Sequence, residues 1–375
     1  MKMCGIVFSN IYDSTMGELT AHRTVASMPF GGRYRFIDFV LSNMVNSGVY
    51  NIGVITKYNY QSLMDHLGTG SEWDLGRKNA NLYILPPFST GVSNVYRGNL
   101  EALNNAMSFL NATKPDYVLM CDTTVICNID YDDALQSHIK SGADVTVIAN
   151  KEIKAYECDS NDFVITADEN GTVNDLAIGY MLDGKPLIGM GMFIIARKTL
   201  INIIESYVSR GRYSFEKDYL LSRFVDGQVK INAYEFKGTV LRNHNTLSYF
   251  KNNFEIMNED VRNDIFKSET PIYTKVRDEA PSYYHDGCQV KECTVADGCN
   301  IYGKVENSVL FRDVVIEKGA TVRNSIIMQG SRVGAGANVN YAIIDKNVTV
   351  TPAAELMGAS SVPVIVHKGK TVNSK

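Results

Sequence analysis

A hydrophobic repeat with a period near six residues runs through the last part of the chain and limits its fold more than any other feature. Two series carry the repeat: Leu310, Ile316, Val322 and Met328, and then Ile327, Val333 and Val339. A small residue follows several such positions, as at Cys299, Ala320 and Ala337. One sheet-forming side chain on each flat face and a small residue at each corner are typical of a parallel β-helix, and six-residue units favour the left-handed triangular form. Because the end coils of such a helix are open, we expect the protein to form an oligomer.

The first two-thirds of the chain alternates segments typical of strands with segments typical of helices. Runs rich in β-branched residues predict strands at residues 49–56, 116–120 and 144–149. Apolar residues three and four apart predict helices at residues 35–47 and 99–110. The alternation predicts a Rossmann-like α/β domain with a mostly parallel sheet between helices. Ligands of such sheets bind at the carboxyl ends of the strands and at helix N-termini.

Two proline-containing segments separate these patterns, at residues 270–273 (TPIY) and 280–282 (APS). We therefore expect an α/β domain over residues 1–264, a connector over residues 265–286 and a β-helix over residues 287–375. Two domains also fit the length of 375 residues, because a single domain commonly has about 100–200 residues.

Composition excludes several classes of function. The formal net charge of -4 argues against a nucleic-acid or anionic-membrane partner. No apolar run reaches the ~18 residues of a membrane helix, and residues 1–8 lack the cleavage site of a signal peptide. The seven cysteines include no C-x-x-C pair, so we interpret Cys288, Cys293 and Cys299 as packed residues of the repeat rather than as a zinc site. We expect a cytoplasmic protein.

Three segments form a distinctive set: residues 29–39 (PFGGRYRFIDF), 96–98 (YRG) and 128–131 (NIDY). With the hexapeptide region they resemble the bacterial glucose-1-phosphate adenylyltransferase (ADP-glucose pyrophosphorylase) family over nearly the whole chain. Residues 22–23 (HR) and 62–68 (SLMDHLG) are more similar to the GlgD-type partner subunit of that family than to its catalytic subunit. The resemblance implies tetramers that serve glycogen synthesis. The family reaction joins ATP and glucose 1-phosphate into ADP-glucose and pyrophosphate with Mg²⁺.

The phosphate-binding loop that the resemblance implies is missing from the sequence. Catalytic members carry Gly-Gly-x-Gly-Thr-Arg-Leu after the first strand, whereas residues 9–15 read SNIYDST, without glycine or arginine. Side chains at these positions deny the backbone the close approach that a phosphate cradle needs, and Asp13 repels a polyanion. The family's Arg-Ala-Lys-Pro segment matches Arg23 on its arginine but Val25 on its lysine.

The metal-binding carboxylates are only partly retained. An ungapped match puts Thr124 on the aspartate of the family's Gly-Asp-His and Asn243 on that of Asp-Val-Gly-Thr. Asp122 is a residual catalytic candidate if its loop shifts register, and the alternative is a turn or capping aspartate. Residues 214–218 (SFEKD) resemble the family's Asp-Phe-Gly-Lys-Asp, which makes Asp218 a weak metal-ligand candidate. A solvated aspartate in the first turn of a helix is the alternative for Asp218. We therefore name no confident catalytic residue, and no cofactor beyond the Mg²⁺ of the family reaction.

The sugar and nucleotide pockets are altered to different degrees. The lysine of the family's Glu-Lys-Pro is absent from residues 178–180 (IGY), whereas Met190 and Gly191 keep the small-residue backbone of the sugar pocket. Three residues resemble the nucleotide-side loop: Tyr96, Arg97 and Gly98.

Arg33 and Arg35 form a candidate effector site. Arg33 matches a family lysine associated with activator binding, and two guanidinium groups can hold a phosphorylated sugar or a nucleotide through bidentate contacts. The alternative is a pair that fixes the turn after Gly31 and Gly32 or lies at a subunit contact.

The absence of the phosphate-binding loop, the partial loss of the metal-binding carboxylates and the absence of the sugar-pocket lysine predict a non-catalytic or weakly catalytic regulatory subunit. It would join a catalytic glucose-1-phosphate adenylyltransferase subunit in a heterotetramer, with a homo-oligomer as the alternative assembly. The alternative function is an independently active sugar-1-phosphate nucleotidyltransferase that uses Asp122 and Asp218 with an atypical phosphate loop. Acyltransferases with hexapeptide β-helices usually need a histidine base within the helix, and here His285 and His367 lie only at its edges.

Overall fold

The computed structural model describes residues 2–11, 13–77, 80–87, 96–151 and 158–374. Ten strands of its first domain form one mixed sheet with Met3–Phe8 near the centre. Met3–Phe8 pairs in parallel with Asn51–Ile55 and Tyr117–Cys121, and Asn51–Ile55 pairs in parallel with Ala80–Leu85. Leu187–Ala196 lies antiparallel beside Tyr117–Cys121. The other strands of this sheet are Gly76–Arg77, Val145–Asn150, Phe163–Ala167, Val173–Ile178 and Ile231–Glu235.

Two apolar cores lie on opposite faces of the sheet, because successive residues of a strand point to opposite sides. In the central strand Ile6 belongs to one core and Val7 to the other, and both are fully buried. Helix Arg197–Val208 covers the Ile6 face, and helix Phe36–Asn46 covers the Val7 face. Further helices are Gln61–Leu67, Asn99–Asn105, Met107–Thr113, Tyr131–Ser141, Ser222–Val225, Thr246–Glu255 and Glu259–Ile265, with shorter turns at Gly17–Thr20, Val25–Ser27 and Ser71–Trp73 and a wide turn at Phe215–Leu221.

The elements predicted from the sequence are found within a few residues of their expected positions. The strand expected at residues 49–56 is Asn51–Ile55, and the helix expected at residues 35–47 is Phe36–Asn46. The helix expected at residues 99–110 is divided into two, because Ala106 interrupts it with a φ of -87° and a ψ of 2°. The α/β prediction is confirmed.

One irregularity in the sheet shapes the functional site. Leu187–Ala196 shifts its register against Val145–Asn150 between Gly189 and Met192, so Met190 and Gly191 form a β-bulge. Gly191 has a φ of +67°, which glycine adopts without strain. Bulges redirect side chains next to binding sites.

The C-terminal domain is a solenoid of short parallel strands. Ile316 pairs with Val333 and Val333 with Val350, so each coil repeats after 17 residues, about three six-residue units. All members of the two hydrophobic series are fully buried, which confirms the predicted parallel β-helix. Its strands are Tyr283–Tyr284, Gln289–Val295, Asn300–Ile301, Lys304–Leu310, Val315–Ile316, Thr321–Arg323, Ile326–Ile327, Arg332–Val333, Asn338–Asn340, Ala342–Ile344, Thr349–Val350, Glu355–Met357, Val364–Val366 and Thr371–Val372.

The two domains share a third apolar core and a buried ion pair. Phe30 and Tyr249 of the α/β domain belong to the same cluster as Phe311 of the β-helix. Beside this cluster Arg23 donates to both carboxylate oxygens of Asp345, at 2.6 and 2.7 Å. This ion pair therefore connects the N-terminal part of the α/β domain directly to the β-helix.

Two general features bear on the location of the protein. All seven cysteines are free thiols. Within the described ranges, no helix has both the length and the apolar character needed to cross a membrane.

Candidate functional site

Two adjoining cavities open at the carboxyl-terminal edge of the sheet, where Met3–Phe8 and Tyr117–Cys121 end. The outer cleft, of about 450 Å³, is lined by Ser9, Asn10, Lys57, Ser214, Glu216 and residues 96–98, among others. The inner cavity, of about 50 Å³, is lined by Asp122, Met190, Gly191, Glu216, Arg242 and His244, among others. This edge is where ligands of parallel sheets are expected.

The loop after the central strand is closed by its own aspartate. The Val25 amide donates to Asp13 Oδ1 at 2.6 Å, and Asn10 Nδ2 donates to Asp13 Oδ2 at 2.5 Å. Asp13 is 5% exposed, and its burial raises its pKa to about 6. Tyr12, which belongs to the predicted loop, lies outside the described residues. An acidic group thus occupies the turn that would have to surround a triphosphate.

Arg23 does not line either cavity, because its guanidinium group binds Asp345 of the β-helix. Both side chains of this pair are 4% exposed. The sequence match to a catalytic arginine therefore corresponds to an interdomain contact here. Val25, on the position of the family lysine, contributes only its backbone amide to the closed loop.

The two positions matched to the family's metal-binding aspartates are in direct contact. Leu241–Arg242 pairs antiparallel with Val125–Ile126, which brings Asn243 beside Thr124. The Thr124 carbonyl accepts from the Asn243 amide at 3.0 Å and from Asn243 Nδ2 at 2.9 Å. Both residues are fully buried and uncharged.

These residues do not fit the Mg²⁺ ion that the resemblance implies. Mg²⁺ prefers carboxylate oxygens and phosphates in near-octahedral geometry, whereas Thr124 and Asn243 hold each other through an amide contact. Across the described part of the chain, no group of three or more His, Cys, Asp or Glu side chains is arranged to hold a metal.

Asp122 reaches the inner cavity from the end of its strand. Its Oδ1 accepts from the Thr124 amide at 2.9 Å and from Thr124 Oγ1 at 3.0 Å. Its Oδ2 lies against the β-bulge, where a β-carbon on Gly191 would be only 1.9 Å away. Burial, with a smaller contribution from the charge of Glu216, raises the pKa of Asp122 to about 6.

Asp218 lies outside both cavities, because its own turn uses its carboxylate. Its Oδ2 accepts from the Tyr213 amide at 2.7 Å and from the Ser214 amide at 2.8 Å. Glu216, two residues earlier, lines both cavities instead. Burial raises the pKa of Glu216. Sequence reasoning missed this residue, although a glutamate at the glycine of the family's Asp-Phe-Gly-Lys-Asp was a visible signal.

The nucleotide-side residues predicted from the sequence are brought together at the outer cleft. Tyr96, Arg97 and Gly98 all line it. A β-carbon on Gly98 would lie 2.3 Å from the Tyr213 carbonyl oxygen, so only glycine fits there. The exposed Arg97 guanidinium lies 3.8 Å from the Tyr213 ring centroid and pairs with Glu101 at 2.6 Å.

The β-bulge that forms the sugar side is held by Arg242. Its guanidinium donates to the carbonyl oxygens of Ile188 and Gly189 at 3.0 and 2.9 Å, and also to Asn150 Oδ1. Met190 is fully buried and lines the inner cavity beside Gly191. Arg242 therefore fixes the bulge, and most of its donors are committed to the protein.

A second cleft, between the α/β domain and the β-helix, is strongly cationic. The residues that define this cationic cleft are Arg35, Lys275, Arg277, Arg312 and Lys346. Arg35 also donates to the Ser62 carbonyl at 2.6 Å. Arg33 is exposed and lies over the Tyr34 ring. Only Arg35 of the predicted effector pair thus lines the cleft.

The charges in the cationic cleft repel one another. Burial, together with the charges of nearby arginines such as Arg35 and Arg23, lowers the pKa of Lys346 to about 6. Burial also lowers the pKa of Arg312, whose buried Nε has no hydrogen-bond partner among the described residues. No sequence pattern identifies Lys275, Arg312 and Lys346 as a group, because they converge only after the domains pack.

Comparison with known proteins agrees with this arrangement. A family model described as nucleotidyl transferase matches residues 15–253, and one described as GlmU-like C-terminal hexapeptide matches residues 280–360. Glycogen biosynthesis protein GlgD of Geobacillus stearothermophilus is 36% identical over 372 residues, which cover 98% of this chain and 96% of that protein. The chain belongs to the bacterial glucose-1-phosphate adenylyltransferase family.

Within the glucose-1-phosphate adenylyltransferase family the chain is of the GlgD type. Glycogen biosynthesis protein GlgD of Bacillus subtilis (strain 168) is 30% identical over 98% of this chain and 96% of that protein. Glucose-1-phosphate adenylyltransferase of Fervidobacterium nodosum is also 30% identical, over 95% of this chain and 85% of that protein. Nucleotidyl transferases generally use Mg²⁺, whereas the contact between Thr124 and Asn243 in this chain is neutral.

Proposed function

We propose that this chain is a non-catalytic or weakly catalytic regulatory subunit of a glucose-1-phosphate adenylyltransferase in glycogen biosynthesis. The single observation that supports this function best is the bond from the Val25 amide to the buried carboxylate of Asp13. A phosphate cradle needs inward-pointing amides and a favourable potential for anions. Here an acidic side chain of the loop accepts from the backbone amide of Val25 and adds negative charge.

The partner would be a catalytic subunit of the same family, assembled with this chain in a heterotetramer. The first strands of the β-helix, Tyr283–Tyr284 and Gln289–Val295, each pair with a strand on one side only among the described residues. Exposed strand edges normally require a cover, and a second subunit is one such cover. The seven free thiols support a reducing compartment, and we propose the cytoplasm.

A regulatory role also requires a site for an effector, and the cationic cleft is our candidate. Burial and nearby arginines destabilise the charged forms of Lys346 and Arg312 and lower their pKa values. A bound anion would offset both effects. Phosphorylated sugars and nucleotides carry suitable charge for such a cluster. Arg35, one of the two effector residues predicted from the sequence, lines this cleft.

Kinetic assays of separate and mixed subunits test the proposed function. The readout is pyrophosphate release from ATP and glucose 1-phosphate with Mg²⁺, for this chain, for the catalytic subunit of the same organism and for the two mixed. We expect no measurable turnover by this chain alone, and a changed rate, affinity or effector response for the mixture. Unchanged kinetics in the mixture would contradict the regulatory role.

An independently active sugar-1-phosphate nucleotidyltransferase is the second candidate. It is favoured by one observation: the carboxylates of Asp122 and Glu216 line the same inner cavity. Turnover by the purified chain that is lost in Asp122→Asn would establish this alternative. If the chain is regulatory, Asp122→Asn leaves the rate of the mixed enzyme unchanged.

A further inference from the structure

Glu216 stands at the boundary between the two cavities of the site. The residues common to both linings are Phe8, Ile11, Asn99, Asn161 and Glu216. Glu216 is the only charged side chain of this shared set, and it extends from the start of the turn Phe215–Leu221. It therefore forms part of the wall between the outer cleft and the inner cavity.

The Glu216 side chain is fixed in this position rather than free to swing. Asn99 Nδ2 donates to Glu216 Oε2 at 2.7 Å, and Asn99 Oδ1 accepts from the Phe215 amide at 2.6 Å. One asparagine therefore holds both the carboxylate and the backbone that carries it. A side chain held at both ends loses the rotamer freedom that would let it move aside for a ligand.

The space behind Glu216 is too small for a sugar. The inner cavity of about 50 Å³ has room for a few water molecules, because each needs about 10–15 Å³ of such volume. A hexose with its hydroxyl groups needs several times more. Yet the walls would suit a hexose, since they present carboxylate, amide and aromatic groups from Asp122, Asn161 and Phe163.

We infer that Glu216 is a specificity-determining residue that closes the inner cavity against hexose 1-phosphates by filling its entrance. Removing the side chain beyond the β-carbon joins the inner cavity to the outer cleft and makes one pocket. This inference rests on the proposed function, because a subunit that turns over glucose 1-phosphate needs that entrance open. Glu216 is the residue responsible for this exclusion, and hexose 1-phosphates are the excluded ligand class.

Binding of glucose 1-phosphate to the full chain tests this inference. Isothermal titration calorimetry or saturation-transfer NMR would compare the unmodified chain with Glu216→Gly, Glu216→Ala and Glu216→Gln. We expect the first two variants to bind at least about tenfold more tightly than the unmodified chain. Glu216→Gln is the matched control, because glutamine keeps the volume and can still accept from Asn99, so we expect no gain.

Three outcomes would overturn the inference. The unmodified chain binding as tightly as Glu216→Gly would show that the entrance is already open. Failure of both Glu216→Gly and Glu216→Ala to gain affinity, with both folded by circular dichroism, would show that Glu216 is not the barrier. An equal gain in Glu216→Gln would assign exclusion to charge instead of volume. None of these binding measurements uses a partner subunit, so their failure is distinguishable from failure of the kinetic assays that test the regulatory role.

Discussion

The Thr124 carbonyl oxygen accepts two hydrogen bonds from Asn243, one from its backbone amide at 3.0 Å and one from its side-chain Nδ2 at 2.9 Å. These are the two positions that the resemblance matches to metal-binding aspartates. The fold brings these two positions together, as a two-carboxylate metal site would require, but the contact between them is neutral. The same contact extends the antiparallel pairing of the strand Val125–Ile126 with Leu241–Arg242.

Asn243→Asp should destabilise the protein without creating a metal site. An aspartate cannot donate, so the variant loses the two buried hydrogen bonds from Asn243 Nδ2 to the carbonyls of Thr124 and Leu241 and places a carboxylate against carbonyl oxygens. We expect a loss of roughly 1–3 kcal/mol in the free energy of unfolding at pH 7, measured by urea denaturation. The exposed Asn373→Asp is the control, with an expected change within about 0.5 kcal/mol. Equal stability of the two variants would mean that the contact is not maintained in solution.

Asp13→Asn should reveal the titration of the buried carboxylate. The pKa of Asp13 is raised by burial to about 6, above the ordinary 3.8. The folded state therefore binds the proton more tightly than the unfolded state, and the contribution of Asp13 to stability falls as pH rises from about 4 to about 6. Asparagine does not titrate and can still accept from the Val25 amide.

Urea denaturation of the unmodified chain and of Asp13→Asn at several pH values measures this effect. We expect the stability of the unmodified chain relative to Asp13→Asn to fall on the order of 2 kcal/mol between pH 4 and pH 7, and to be flat above. The comparison cancels other carboxylates that titrate in this range, such as Asp122. A difference that does not change with pH would indicate a solvated Asp13 and an open loop.

Arg23→Met should strongly destabilise the contact between the domains. The variant leaves Asp345 buried without its bidentate partner, which commonly costs about 3–5 kcal/mol. Adding Asp345→Asn should restore part of this loss, so a double-mutant cycle on denaturation free energies should show positive coupling. The exposed pair of Arg323 and Glu306, at 3.5 Å, supplies the control. Arg323→Met should change stability by less than about 1 kcal/mol, and a similar loss in Arg23→Met would contradict the buried pair.

The sequence predicted those features that depend on local pattern. The series from Leu310 to Met328 identified the β-helix, because each coil repeats the same short unit and every member faces the interior. The absence of the family's phosphate-binding loop was also predictable, because it depends only on which residue types follow the first strand. The partner of Arg23 could not be predicted, because Asp345 lies 322 residues away and is brought near only by domain packing.

Side-chain direction explains the other difference between sequence and structure. Asp218 and Glu216 lie two residues apart at the start of one turn, and sequence resemblance favoured Asp218. The structure turns Asp218 back onto the amides of Tyr213 and Ser214, while Glu216 faces the cavities. Positions two apart on a helical turn point in opposite directions, so a motif match could not decide between them.

The cationic cleft should bind sulfate with uptake of a proton by Lys346. The pKa of Lys346 is lowered to about 6 by burial and by Arg35, Arg23 and Arg277, so the amine is largely neutral at pH 7. A bound anion favours the charged amine and raises that pKa. Affinity should therefore fall as pH rises from 6 to 8, by no more than about tenfold per pH unit, because one proton is taken up.

Isothermal titration calorimetry at low ionic strength, in buffers with different enthalpies of ionisation, measures both affinity and proton uptake. Sulfate is the probe because its charge does not change between pH 6 and pH 8. Lys346→Met should weaken binding and abolish the proton uptake, whereas the exposed Lys368→Met should change neither. His66 also lines the cleft, and burial lowers its pKa below the ordinary value. Proton uptake that persists in Lys346→Met would assign the linked group elsewhere and contradict the expected role of Lys346.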